Sequence, residues 1–227
     1  MEFSNEIIKP LSIDCIVAGF NSNLNILLVK HASGISKGKW ALPGGWIKYN
    51  ESLDAAAGRI LKALTGLSDI YLKQLRAFGE VDRFPNKRVI TVAYSALIKY
   101  EEYEIIPGFT ASDAKWFALK DVPEMPYDHN CILHEFMEDL RLKVKREPIG
   151  FQLLPEKFTL LQLQELYESI LGVTLDKPNF RRKIRKMNLL VDCKEKQEGL
   201  AHRSPKLYRF DVEVYEKLKE KGFNFEF

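Results

Sequence analysis

The spacing of apolar residues changes character at Glu147-Pro-Ile-Gly150, and this break constrains the fold more than any other feature of the chain. Before it, short β-branched and apolar runs alternate with two helical patterns. Leu11–Phe20 and Leu24–Lys30 flank Asn21-Ser-Asn23 and read as a hairpin. A Gly-, Ser- and Lys-rich loop over His31–Lys39 leads into Trp40-Ala-Leu-Pro-Gly-Gly45. Leu53, Ala57, Ile60 and Leu64 then repeat at helical spacing, with Asn50 as the expected N-cap and Gly66 as the stop. Leu72–Glu80, Arg88–Tyr100 and Lys115–Leu119 read as strands, and His129–Arg146 as a long amphipathic helix with a basic end. Residues 1–147 are expected to form a single mixed α/β unit.

After the break a different outline begins. Thr159–Leu171 reads as a helix capped by Thr159 and stopped by Gly172. Lys177–Leu190 reads as a second helix with Pro178 in its first turn. Leu190–Lys194 and Lys206–Phe210 make a hairpin around a polar loop containing Gly199, and Val212–Lys221 closes the chain as a short charged helix. Helix, short turn, basic helix and hairpin are the outline of a winged helix-turn-helix over residues 148–227.

Charge follows the same division. Residues 1–154 hold 19 Lys+Arg and 19 Asp+Glu, so the net +3 of the chain lies in the last third. Within Lys177–Arg209, 11 basic residues face 3 acidic ones. In the second helix Phe180, Ile184 and Met187 form an apolar stripe, and Asn179, Arg181, Arg182, Arg185 and Lys186 gather on the other side. A cationic exposed helix of this kind suits the major groove of double-stranded DNA. His202, Arg203, Lys206 and Arg209 on the hairpin are expected to reach the flanking backbone or minor groove.

With 46% hydrophobic residues the chain can bury a core, which excludes a largely disordered protein. It has no run of 18 apolar residues to span a membrane, and Met1–Pro10 lacks the basic start and apolar stretch of a signal peptide. Cys15, Cys131 and Cys193 stand far apart without metal-ligand spacing and are expected to be isolated buried thiols. A cytoplasmic location without a membrane partner is the expectation.

Gly45-x5-Glu51-x7-Arg59-Ile-Leu-Lys-Ala-Leu-Thr-Gly66-Leu67 resembles the Nudix box, whose members place three metal-binding glutamates where this chain has Ile60, Ala63 and Leu64. Magnesium needs oxygen ligands, and these side chains supply none. The resemblance implies a Nudix fold, a mixed sheet between helices, without catalytic residues, metal or cofactor. Glu51 is expected to act as a helix-start charge. Glu80, Asp82, Glu135 and Glu138 are the carboxylates open to a displaced metal site.

Arg76–Ile90 resembles a segment shared by regulators built on this fold, and points to Trp40, Asp82, Arg83 and Arg88 as effector-binding residues. Arg83 and Arg88 offer donors to hydroxyls or phosphates, and Trp40 a face for a ring. Phe158–Gly172 and Leu175–Lys186 look like the winged helix of Nudix-related transcriptional regulators. That family implies a bacterial homodimeric repressor released from its operator by a small sugar or nucleotide-sugar effector. Some members sense ADP-ribose in NAD biosynthesis; others serve pentose utilisation. The missing carboxylates favour binding without turnover and a free sugar such as arabinose as effector. The competing readings are an active Nudix hydrolase of nucleoside diphosphate derivatives and a module whose basic tail binds an acidic protein.

Overall fold

The computed structural model describes residues 10–108, 111–197 and 204–221. Its backbone divides into two compact units. One gathers the chain up to Gly19 with Asn25–Phe136, and the other Phe20–Leu24 with the chain from Met137 on.

Strands β1 (Leu11–Asn21) and β2 (Asn23–His31), which lie in the first unit apart from their ends at Phe20–Leu24, turn through Ser22, which adopts a left-handed φ of 57°. They join β3 (Trp40–Ala41), β4 (Gly44–Trp46), β5 (Lys73–Phe78), β6 (Ile90–Ile98) and β7 (Ala111–Ala118) in one seven-stranded sheet. The sheet is mixed: β1 runs parallel to β6, whereas β4 is antiparallel to β1 and β7 to β2.

Successive side chains of a strand point to opposite faces. Ile13, Cys15 and Val17 therefore share one face, where they pack with Ala57, Ile60, Leu61 and Leu64 of α1 (Leu53–Thr65). Ser12 and Asp14 belong to the other face.

Helix α1 starts two residues later than expected. Ser52, not Asn50, accepts the Ala55 N–H (3.1 Å). Glu51 is committed elsewhere, to the Lys48 N–H at 2.7 Å and to Arg59 at 2.5 and 2.7 Å. Gly66 ends the helix in the left-handed region, φ 77°. Two orphan carbonyls of its last turn are met by the following loop, through Ile106 N–H to Thr65 O and Gly108 N–H to Leu64 O. Tyr94 on β6 donates to Asp54 (2.6 Å), and desolvation, helped by this hydrogen bond, pushes the phenol up to about 12. α2 (His129–Arg146) matches its expected bounds. Of the cysteines only Cys15 is buried, its thiol pushed far up by desolvation; Cys131 is exposed and Cys193 half-buried. Among the described residues no helix is long and apolar enough to cross a membrane.

In the second unit α3 (Leu160–Leu171) carries a full capping box between Thr159 and Gln162 and stops at Gly172. α4 (Lys177–Met187) begins at Asp176, whose side chain accepts the Asn179 N–H. It ends earlier than expected, because Asn188 turns left-handed (φ 56°). Glu168 staples the intervening turn by accepting the Leu175 N–H at 2.8 Å. β8 (Leu190–Lys196) pairs antiparallel with β9 (Lys206–Phe210), and Phe158 bridges to Tyr208. α5 (Val212–Glu220) follows. Leu163, Leu166, Tyr167, Ile170, Phe180 and Ile184 are all buried, which joins α3 to α4.

Two glycines give opposite predictions. A Cβ on Gly108 would stand 1.7 Å from Ala63 O, whereas one on Gly58, within α1, meets nothing within 4 Å. Gly108→Ala should lower unfolding free energy by about 1–3 kcal/mol in urea titrations. Gly58→Ala should raise it by about 0.5–1 kcal/mol.

Candidate functional site

Polar residues on the face of β1 opposite α1 form the floor of a cavity of about 180 Å³. Asp14 is 5% exposed in a strand of otherwise apolar neighbours, and it stands directly across from Gly44 in the β1–β4 register. A Cβ on Gly44 would lie 2.2 Å from Asp14 Oδ1, so the Gly-Gly pair after Trp40-Ala-Leu-Pro makes room for the carboxylate. Arg83 reaches in from the β5–β6 connection. Its Nε and Nη2 donate to the two oxygens of Asp128 at 2.8 and 2.6 Å, and Nη2 also reaches Asp14 Oδ2 at 3.2 Å.

His129 completes the floor. Its Nδ1 accepts the Leu42 N–H at 3.1 Å, which leaves the ring proton on Nε2, 3.5 Å from Asp14 Oδ1. Burial alone would raise the Asp14 carboxyl, but His129 and Arg83 more than offset this and hold it below the usual carboxylate range. Burial also holds His31, at the edge of the same cavity, below its ordinary value.

One wall is aromatic. Phe84 and Tyr127 stack at 4.7 Å, and Trp46 meets Phe84 edge-on at 6.0 Å. Ser36 donates to the Tyr127 hydroxyl at 2.9 Å and fixes that ring.

Of the four expected effector residues, Arg83 alone lines the cavity. Trp40 packs edge-on against Phe117 (4.9 Å) with the Lys115 ammonium 4.9 Å over its ring. Asp82 is exposed, and Arg88 donates to Glu80 O at 2.8 Å within its own turn. Asp14, His31, Trp46, Phe84, Tyr127 and His129 were not foreseen. The available signals were a carboxylate in the middle of an apolar strand and the Asp128-His129 pair just before a helix.

The Nudix-box positions do not fit a divalent cation. Ile60 is 3% exposed and Leu64 9%, both within the apolar core, and the Ile60 side chain fills the space beside Gly45. The carbonyls of the last α1 turn are capped by the 106–108 loop. Glu51 is paired with Arg59, which also donates to Trp46 O at 3.0 Å, and hydrogen bonding from Arg59 pulls it down to about 2. Glu135 pairs with Arg76 and Glu138 with Arg141. Among the described residues no three His, Cys, Asp or Glu side chains gather as a metal would require.

The second surface is α4. Phe180 and Ile184 are buried, while Asn179, Arg182, Arg185 and Lys186 are exposed and Arg181 is half-buried. Arg182 Nη2 donates to Asn179 Oδ1 at 2.6 Å, so the two present a joined amide and guanidinium edge. On the wing Lys206 is exposed and donates to Asp192 at 2.7 Å, which raises its pKa against the opposing charge of Arg185. His202 and Arg203 lie outside the described residues.

A mixed-sheet domain with a partly open cavity floored by Asp14, Arg83 and His129, followed by a helix-turn-helix with a basic second helix and wing, defines a Nudix domain carrying a DNA-binding winged helix. Residues 9–140 match the NUDIX domain and residues 150–210 the NrtR DNA-binding winged helix domain. The chain is 32% identical to the ADPR-responsive transcriptional repressor NtrR of Acinetobacter baylyi, over 85% of its own length and 78% of that protein's. It superposes on Shewanella oneidensis NrtR complexed with a 27mer DNA with a TM-score of 0.74, at 30% identity over 95% of this chain and 97% of the other. The NUDIX domain of that NrtR, complexed with ADP ribose, matches with a TM-score of 0.56 at 28% identity, over 61% of this chain and 94% of the other. The chain belongs to the Nudix family, in its NrtR-type branch of DNA-binding regulators. These relatives are associated with ADP-ribose, and the expectation of a role in pentose utilisation finds no support among them.

Arg83→Met should cost about 3–5 kcal/mol at neutral pH, because it strands two carboxylates, one of them deeply buried. The stabilisation from Asp14 is present above its ordinary pKa of about 4 and is lost as pH falls through its lowered value. Without Arg83 that carboxyl takes up a proton more readily. The stability gap between parent and variant in urea unfolding should therefore shrink on acidification below about pH 4. A gap independent of pH would contradict the assignment.

Proposed function

We propose that the chain is a DNA-binding transcriptional repressor whose Nudix domain, residues 1–147, binds an ADP-ribose-type effector without hydrolysing it. Residues 148–227 bind a double-stranded operator, and effector binding releases it. The observation that carries this reading is the exposed Asn179, Arg182, Arg185 and Lys186 face of α4, backed by buried Phe180 and Ile184. A solvated basic face needs no helix-turn-helix beneath it and no wing beside it. Arginine pairs bidentately with guanine edges and Asn with adenine, whereas Lys186 and Lys206 suit phosphates. The protein acts as a homodimer, so that two winged helices read the two halves of a palindromic site.

Support for binding without turnover comes from Ile60, Ala63 and Leu64. Two of these fill the core and none offers an oxygen ligand from its side chain. ADP-ribose is favoured over a free pentose as effector because it is named with the Acinetobacter and Shewanella relatives.

Anisotropy titrations on a duplex from the region upstream of the chain's own gene, against a scrambled duplex, test the DNA assignment. The upstream duplex should bind far more tightly at physiological salt. Arg182→Ala with Arg185→Ala should weaken it by about 1–3 kcal/mol for each base that is no longer read. Lys186→Ala should instead flatten the salt dependence, by about 0.9 in log–log slope for each phosphate that is no longer neutralised. Operator affinity unchanged by the double arginine variant would overturn the assignment of α4 as the reading helix.

A further inference from the structure

We propose that Asn179 is not a reader of adenine but the positioning residue for Arg182, and that the pair selects one guanine of the operator. This rests on the operator reading above and adds which base the joined edge selects and which side chain carries the selection.

By residue type alone, an exposed Asn at the start of a reading helix suits adenine, because its amide can accept from N6 and donate to N7 at once. Here the accepting half is already engaged. A guanidinium has donors and no acceptor, so the amide atom that faces Arg182 Nη2 at 2.6 Å has to be the oxygen. What remains of the Asn179 amide is its amino end, which only donates. An adenine brought to this edge would set its N6 amino group beside the guanidinium, donor against donor. Guanine offers two acceptors, O6 and N7, and Arg182 keeps the other N–H groups of its fork for them.

The position of the pair on α4 suits this role. The Asp176 side chain caps the helix and accepts the Asn179 backbone N–H at 3.0 Å, which places Asn179 in the first turn. Arg182 follows three residues later on the same face. The N-terminal residues of a reading helix are the ones that meet base edges. Among the described residues Arg182 is the one arginine of α4 whose guanidinium is hydrogen-bonded to another side chain, whereas Arg181 Nε is buried and unpartnered. A long side chain held in place before binding loses less freedom when it engages a base.

Charge points the same way. Lys177, Arg181, Arg182 and Arg185 line one open groove of about 550 Å³, and none of the four forms an ion pair among the described residues. Four cations around the edge disfavour a hydrogen-bond donor such as the adenine amino group and favour carbonyl oxygen and ring nitrogen acceptors.

Anisotropy titrations of the full chain on the upstream duplex, and on duplexes with each base pair replaced in turn, test this. Asn179 and Arg182 are both exposed, so the variants Asn179→Ala, Asn179→Asp and Arg182→Ala leave the core untouched. The parent should lose about 5–150-fold in affinity when one particular G·C pair is replaced, the discrimination expected of a forked arginine contact. Arg182→Ala should abolish that discrimination, and Asn179→Ala should reduce it at the same pair while leaving every A·T pair read as before. Asn179→Asp should keep it, because a carboxylate still accepts from the guanidinium, although the added negative charge weakens binding to all duplexes alike. The double alanine variant should bind within about twofold of Arg182→Ala alone, since the two side chains act as one unit. Loss of discrimination at an A·T pair in Asn179→Ala would overturn the proposal, as would an unaffected G·C pair in either alanine variant, loss of the G·C preference in Asn179→Asp, or single effects that multiply in the double variant. With the upstream duplex still preferred over the scrambled one, any of these outcomes would leave the operator reading standing. Equal binding of the upstream and scrambled duplexes by the parent would overturn both.

Discussion

Arg83 ties together three pieces of chain that are far apart in sequence. Its guanidinium bridges Asp14 on the central strand β1 and Asp128 beside the start of α2, while its backbone belongs to the β5–β6 connection. A buried ion group of this kind is a poor source of net stability, since desolvation offsets most of the attraction. What it gives is position. With both carboxylates committed to one arginine, the connection, the strand and the helix start hold a fixed geometry around the cavity.

Helix α1 serves as a packing surface. Ile60 presses against Gly45, Leu64 lies in the core, and the 106–108 loop closes the helix end with its backbone amides. Glu51, kept from the box, is consumed by Arg59 and the Lys48 N–H. The apolar contacts of α1 lie on one face of β1, and Ser12 and Asp14 lie on the other. In the winged helix the division is simpler. Phe180 and Ile184 anchor α4 from below, which frees its outer face to carry charge.

Much of this was legible because helices and strands announce themselves by period. His129–Arg146 was readable to both ends, and the Thr159 capping box was visible as Thr followed three residues later by Gln. Boundaries slipped where side chains compete for backbone groups. Asn50 looked like a cap until Glu51 took the neighbouring N–H and Ser52 the helix start, and α4 stopped at Asn188 because Asn tolerates the left-handed region. The cavity was harder to foresee. Arg83 was visible as a charged residue in a promising segment, but its two carboxylates come from residues 69 positions before it and 45 after it. Trp40 looked like the aromatic platform, yet the strand register points Trp46 toward the cavity and seats Trp40 against Phe117. Periodicity gives faces; it does not give which distant faces meet.

The central claim is that effector and operator binding are coupled through one chain. The most direct measurement is the affinity for ADP-ribose of the free protein and of the protein saturated with its operator duplex. Coupling between sites is reciprocal, so operator must weaken ADP-ribose binding by the same factor by which ADP-ribose weakens operator binding, commonly about 5–150-fold. A lower affinity in the presence of operator, matched to that factor, is the predicted result. Identical affinities with and without operator would show that the two surfaces act independently and would contradict the account.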